Sequence, residues 1–299
     1  MCIRDSTVPM PLALPLQALC RGYRGVLSLA LADQVVAVNN WMLSTNLYPT
    51  FDPARDMPAL AAMVGEIKQR WPRHAIWFRS LNAQHNRVWL EALQALGFDL
   101  LPSRQVYLFD DLAQARHADL KRDLKLLRCT PLTARVSAEF GQQDFLRAEA
   151  LYRYLYLDKY SRLNPHYSAS FMQRWHAAGL LEFWGLCDDD GMLQAMVGTF
   201  RMGDTITAPI VGYNTALPQS LGLYRLLMAH VLDIARRDGI KVNLSAGAAL
   251  FKRLRGGRAA LEYSAVFSAH LTAPRRAALR TLRGLTTAIG VPLMQRLKL

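Results

Sequence analysis

TITAPIVGYNTALPQSLGLYRLLMAHVLDIARRDGIKVNLSAGAALFKRLRGGRAALEYSAV, residues 205 to 266, reads as strand, turn, long helix, second strand, basic turn and third strand. Its β-branched run, Thr205 to Val211, stops at Gly212, and Pro218 and Gly222 mark the entry to the helix. Leu223, Leu226, Leu227, Val231, Ile234 and Ala235 recur at the spacing of one buried helix face, which Asp238-Gly239 closes. At the junction, Gln219, Ser220, Leu221, Gly222, Leu223 and Tyr224 bring a glycine to the start of a helix, where unpaired backbone N–H groups and the helix dipole favour an anion. A hexapeptide of this kind also serves as a plain tight turn, so the surrounding elements carry the argument.

In that context the segment resembles the acyl-CoA-binding half of the GNAT acyltransferase superfamily, whose pyrophosphate loop reads Q/R-x-x-G-x-G/A between a strand and a long helix. Gln219 and Gly222 match the marked positions, while Tyr224 departs from the small residue usual at the third. With GYN before the turn and NLSAGAALFKRLRGG after the helix, the pattern is similar to the two-domain, Fem-like and BioF2-like branch. The resemblance implies an α/β (α+β) fold of tandem GNAT-like mixed, mostly antiparallel sheets flanked by helices. It also implies acyl-CoA as donor, acyl carrier protein being the alternative carrier, and an amine acceptor that is a small molecule or a peptide.

The chain of 299 residues, 52% hydrophobic and 20% charged, suits two medium globular domains. No apolar run reaches the ~18 to 20 residues that a membrane-spanning helix needs. Cys2, Cys20, Cys129 and Cys187 form no C-x-x-C pair and the seven histidines no metal spacing, so no metal is expected and a reducing cytoplasm fits. The formal charge is +13, and the last fifty residues carry ten cations against Glu262 alone. Nucleic acid, acidic lipid headgroups, coenzyme A and acyl carrier protein all fit that sign.

The expected organisation follows from composition shifts. Residues 1–6, MCIRDS, are expected to be non-native, adapter-derived sequence. In residues 7–110, Tyr23 to Leu31 and Gln34 to Val38 read as a hairpin, followed by helix, strand, helix and strand, an order that resembles a degenerate GNAT-like domain. Residues 111–128 form a charged linker helix, residues 129–270 the acyltransferase domain, and residues 271–299 a basic helical segment. That last segment, from 274 to 297, is read as a cap on the sheet, with peripheral membrane contact as the alternative.

Acyl transfer from a thioester to an amine needs a donor site, a proton acceptor, an oxyanion stabiliser and a proton for the leaving thiolate. Tyr213 and Asn214 end the strand that feeds the loop and are candidate substrate contacts. Asn243 and Ser245, two apart on the next strand, fit a catalytic pair or a structural one. Lys252 is read as a phosphate-neutralising group, by its resemblance to the family's F-K-x-x-x-G. Asp158, Lys159, Tyr160 and Asn164 gather where a Tyr-rich helix ends and are read as the acceptor side, with His166 as a candidate base. Tyr263 fits an acid or a packing residue, and Glu262 a salt bridge. Two rivals stay open: an aminoacyl-tRNA-dependent, Fem-like peptidyltransferase, and a non-catalytic acyl-CoA-binding module.

Overall fold

The computed structural model describes residues 10–29, 31–112, 117–159 and 161–297. The chain divides into two compact units, the first comprising residues 1–41, 48–106 and 260–299 and the second residues 42–47 and 107–259. The MCIRDS reading and Tyr160 lie outside the described residues.

In the first unit the order is α1 (Met10–Leu29), β1 (Val35–Val38), α2 (Pro53–Arg70), β2 (Ala75–Asn82), α3 (Arg87–Ala95) and β3 (Asp99–Phe109), whose last three residues belong to the second unit. The second unit continues with α4 (Ala118–Arg128), β4 (Thr133–Arg135), α5 (Gln142–Arg153), α6 (Ala169–Ala177), β5 (Glu182–Cys187), β6 (Leu193–Met202), β7 (Thr205–Tyr213), α7 (Leu223–Asp238), β8 (Lys241–Asn243) and α8 (Ala249–Arg253). The chain then returns to the first unit along β9 (Arg258–Phe267), α9 (Ala273–Leu285) and α10 (Val291–Leu297).

Strands of the first unit are hydrogen-bonded in the order β1-β2-β9-β3, and those of the second in the order β3-β8-β7-β6-β5-β4. Each unit holds a parallel pair joined by a crossover helix, β1-α2-β2 and β7-α7-β8, while β2 with β9, β3 with β8, β4 with β5, β5 with β6 and β6 with β7 pair antiparallel. The mixed, mostly antiparallel sheets flanked by helices are those expected from the sequence.

The predicted hairpin at 23–38 is not formed, because residues 23–29 are the end of α1. Only β1 survives from it, and it pairs in parallel with β2. The reason is tertiary: Tyr23 donates its hydroxyl proton to Ala278 O on α9, and Arg275 of α9 donates to Leu31 O at the turn after α1. Leu and Arg are good helix formers, so docking on α9 tips an ambiguous apolar run to helix. The remaining predicted elements appear with shifted ends. Beyond α9 the chain winds wide over Thr286–Gly290 before α10, where the sequence shows Gly290 and Pro292.

Helix α7 forms the core of the second unit. Leu223, Leu226, Leu227, Val231, Leu232 and Ala235 are buried against Trp184, Val197, Val211 and Val242 of the sheet. Gly239, at φ +64°, ends the helix in the left-handed region, where a side chain would be strained. On the same helix His230 stacks on Trp184, with ring centroids 4.0 Å apart and planes 11° from parallel. Burial, aided by Arg237 and opposed by Asp233, pushes its pKa from 6.5 down to about 4. The folded protein holds this ring neutral, whereas the unfolded chain protonates it near pH 6.5. Stability is therefore unaffected above that pH and falls by about 3 kcal/mol as the pH drops from 6.5 to 4. His230→Phe keeps the stack and removes this slope. Urea midpoints at pH 7.5 and 4.5 check it, and parallel losses in both proteins would assign the slope elsewhere.

Candidate active site

Strand β7 delivers Tyr213 and Asn214 to the mouth of the second unit. Asn214 is committed to the turn: its N–H donates to Gln194 O at 2.8 Å, its Nδ2 to Gln194 Oε1 at 2.8 Å, and its Oδ1 accepts from Ala216 N at 3.0 Å. After Pro218, Gln219–Leu221 make one 3₁₀ turn, and Gly222 at φ +65° swings the chain into α7. Within the helix, Leu226 N–H bonds Gly222 O at 3.0 Å, so the N–H groups of Leu223, Tyr224 and Arg225 lie in the first turn, where no intrahelical acceptor exists. Gln219 and Ser220 are exposed, and Leu223 contributes its backbone alone because its side chain is buried.

The glycine has a second duty. A Cβ on Gly222 would lie 3.0 Å from Leu126 Cδ2, so the missing side chain makes room for α4. The loop is open to solvent on the side of Gln219 and Ser220.

Beside the loop the sheet opens. β7 and β8 pair only at Thr205↔Lys241, Ile206↔Val242 and Thr207↔Asn243. Past that point β7 stays with β6 as far as Tyr213, whereas the other chain crosses to β3, with Leu244 N–H on Tyr107 O at 3.0 Å and Tyr107 N–H on Ser245 O at 3.1 Å. The strands part towards the α7 N-terminus, leaving the β7 edge from Ala208 to Tyr213 facing the gap. Tyr213, Tyr224 and Phe251 line up beside it, with centroids 6.2 and 4.9 Å apart. Tyr224, the departure from the small-residue pattern, is thus part of an aromatic wall.

The far wall is a strained turn. Strand β8 ends at Asn243, and Ser245, Gly247 and Ala248 all have positive φ, at 60°, 79° and 47°. The expectation that Asn243 and Ser245 share one strand face is therefore corrected. Asn243 is buried, and its Oδ1 accepts from Ser245 N at 2.9 Å, an Asx-type turn that carries the chain out of the sheet. Lys252 is likewise reassigned. It is 3% exposed, and its ammonium donates inward to Leu244 O, Ser245 O and Ala246 O at 2.6, 3.2 and 2.9 Å, 5.7 Å from the Tyr107 ring centroid. It shapes the wall from within.

One group was missed from the sequence. Asp123 of α4 is buried and bonds two arginines: Oδ1 accepts from Arg225 Nε at 2.7 Å and Oδ2 from Arg255 Nε at 2.5 Å. Arg255 is itself buried, stacks 3.4 Å over Phe251 and donates to Phe251 O. The sequence signal was an acid beside Leu120, Leu124 and Leu127, on the apolar side of an otherwise basic helix.

At its C-terminal end α5 widens at Tyr154–Asp158, where Lys159 N–H reaches back to Tyr154 O at 3.2 Å and Ser161 N–H to Tyr156 O at 3.0 Å. Such wide turns recur at functional sites. Asn164 Nδ2 donates to Tyr156 O at 2.9 Å, and Tyr152 stacks on Tyr156 at 4.8 Å. Burial raises the Tyr152 phenol above its ordinary pKa of 10.0, so it is no acid near neutrality. Asp158 and Lys159 are exposed. His166 is exposed, with Nε2 3.1 Å from Glu149 Oε1, while Glu149 Oε2 accepts from Ala169 N at 2.8 Å.

Tyr263 sits on β9 of the first unit, across from Leu81 of β2. Its neighbour Glu262 forms the salt bridge expected of it, to Arg104 at 2.7 Å. The basic C-terminal helix is tied into its own unit: Arg275 donates to Arg73 O and Leu31 O, Arg276 to Leu271 O, and Arg283 pairs with Asp99. Among the described residues no group of three or more His, Cys, Asp or Glu side chains is placed to hold a metal, and no helix is long and apolar enough to cross a membrane.

The sequence model of the acetyltransferase (GNAT) domain family matches residues 114–253, which run from before α4 to the end of α8. No curated protein matches the sequence. Among solved structures, L-PGS from Bacillus licheniformis is 12% identical, with 76% of this chain and 78% of that one aligned at a TM-score of 0.55. The C-terminal domain of a putative lysylphosphatidylglycerol synthetase from Agrobacterium fabrum is 15% identical, with 76% and 77% covered at 0.54. FemX is 10% identical, with 71% and 77% covered at 0.54. At these identities the likeness is one of fold.

Proposed function

We propose that this chain, whose residues 114–253 match the acetyltransferase (GNAT) domain family and whose fold resembles those of L-PGS and FemX, uses its second unit to move an acyl group from acyl-CoA, or from acyl carrier protein, to an amine by direct transfer. One observation carries the reading: the β7/β8 gap opens directly onto the Gln219–Tyr224 loop. An extended pantetheine arm bears amides that suit the β7 edge beside the gap, and its pyrophosphate suits the helix N-terminus that follows the loop. The acceptor nitrogen attacks the thioester carbon, the C–S bond breaks, the ammonium proton leaves to a base or water, and the thiolate takes up a proton. Tyr213 at the strand end and the Tyr156–Asn164 turn are the acceptor contacts of this scheme, with Asp158 and Lys159 beside it and His166, held by Glu149, as its base.

Ser220 offers a clean test because it is exposed on the loop and carries no packing. Ser220→Glu sets a carboxylate against the pyrophosphate and is expected to weaken coenzyme A binding about tenfold with melting temperature unchanged. Calorimetric titration checks it, and equal affinities would remove the loop from the donor site. Thiol release from acetyl-CoA with a panel of amines then separates an enzyme from a binding module.

The second reading, transfer from aminoacyl-tRNA, is favoured by the outer face of α4, where Lys121, Arg122, Lys125 and Arg128 are exposed. Such a face would make tRNA binding fall steeply with salt. Filter binding at 50 and 200 mM salt reads this, and a donor preference for charged tRNA over acyl-CoA would replace the first reading.

A further inference from the structure

Resting on the donor reading above, we infer that Arg225 is a pyrophosphate-binding arm of the donor site and that buried Asp123 is the residue that positions it. Arg225 is the third residue of α7, one step beyond the loop, and its side chain is 41% exposed. Nε and Nη2 both lie 2.7 Å from Asp123 Oδ1, so the side edge of the guanidinium is held by the protein. The end edge, carrying Nη1, is left for a ligand. A guanidinium pinned along one edge loses little rotational freedom when the other edge takes a phosphate.

Asp123 is suited to this task by what surrounds it. Its side chain is 1% exposed, and its second oxygen is saturated by Arg255, which Phe251 fixes by stacking and by its carbonyl. Two guanidinium groups share one carboxylate, which leaves a net positive charge beside the first turn of α7. Arg255 is only 7% exposed and serves the network from within. Arg225 is the member that reaches solvent. Leu126, one turn beyond Asp123 on α4, rests against Gly222, so α4 sets the positions of the arginine and of the loop glycine together.

The arrangement answers a difficulty left by Lys252. That lysine is turned onto the carbonyls of its own turn, and a dianionic pyrophosphate still requires a cation. Arg225 supplies one from the opposite wall.

The test compares ligands that share the pantetheine arm and differ in the pyrophosphate together with the adenosine that it carries. Calorimetric titration of the full chain with 3′-dephospho-coenzyme A and with pantetheine is run for the wild type, Arg225→Gln, Arg225→Lys and Asp123→Asn. Arg225→Gln is expected to weaken 3′-dephospho-coenzyme A at least tenfold and to leave pantetheine unchanged, and Arg225→Lys to recover part of the loss. Asp123→Asn, which keeps Arg225 but frees it, is expected to lose several-fold on the pyrophosphate ligand alone, read at a temperature where circular dichroism shows it folded. Equal affinities of Arg225→Gln and wild type for 3′-dephospho-coenzyme A would overturn the arm while sparing the donor reading. A wild type that binds tRNA and neither small ligand would overturn both.

Discussion

Lys252→Met should lower the unfolding free energy by about 4 kcal/mol, among the largest effects open to a single side chain here. The methionine fills nearly the same volume but removes an ammonium on which three carbonyls converge, those of Leu244, Ser245 and Ala246. These groups sit at a turn whose Ser245 and Ala248 already hold left-handed backbone, at φ 60° and 47°. Without the cation the carbonyl dipoles repel one another, and those that stay buried lose partners that are worth about 1 to 3 kcal/mol each. Lys252→Arg should not restore the loss, because a planar fork cannot point at three converging oxygens as a tetrahedral ammonium does. Urea unfolding checks both variants. A loss below about 1 kcal/mol for the methionine would mean that water replaces the ammonium, and that the turn does not depend on Lys252.

Gly212→Ala is expected to cost about 3 kcal/mol, and to act at a distance from its own strand. A Cβ at this position would sit 2.9 Å from Tyr152 N, Leu151 Cβ and Met196 Cε. Met196 can swing aside. The backbone of α5 cannot, so the helix must lift from β7 by several tenths of an ångström. Tyr152 rides on that helix and stacks on Tyr156, so the lift disturbs the acceptor-side turn as well as the core. A melting curve measures the first effect and near-ultraviolet circular dichroism of the tyrosine stack the second. Wild-type values in both would show that α5 is free to shift, and that the approach of helix to strand is not tight.

Much of the second unit was legible because local signals agreed with one another. The 3.6-residue period of α7, the glycines at 222 and 239 and the flanking apolar strands all specify the same β-α-β element. The turn at Asp188–Gly191 between β5 and β6 is local in the same way, with Met192 N–H bonded to Asp188 Oδ1 at 2.8 Å. The first unit was harder to read. Residues 23–29 carry apolar side chains that serve strand or helix, and contacts 255 residues away, between Tyr23 and Ala278, decide for helix.

The site divides along the same line. The loop from Gln219 to Tyr224 was found by its glycine and its place before a helix, both properties of neighbouring residues. Lys252 was found but given the wrong partner, since nothing in F-K-R-L-R says whether the ammonium points to solvent or back over its own turn. Asn243 and Ser245 looked like two residues on one strand face until the chain was seen to leave the sheet between them. Asp123 was passed over because its partners, Arg225 and Arg255, stand 102 and 132 residues away.

By itself, then, the sequence determined the mixed α/β class, the loop that leads into α7 and the elements on either side, because periodicity and turn chemistry act over a few residues. Only the tertiary structure decided which charges face a ligand and which face the protein. Burying a charge is tolerable solely where a distant segment supplies its partner, and the chain's path in space makes that match.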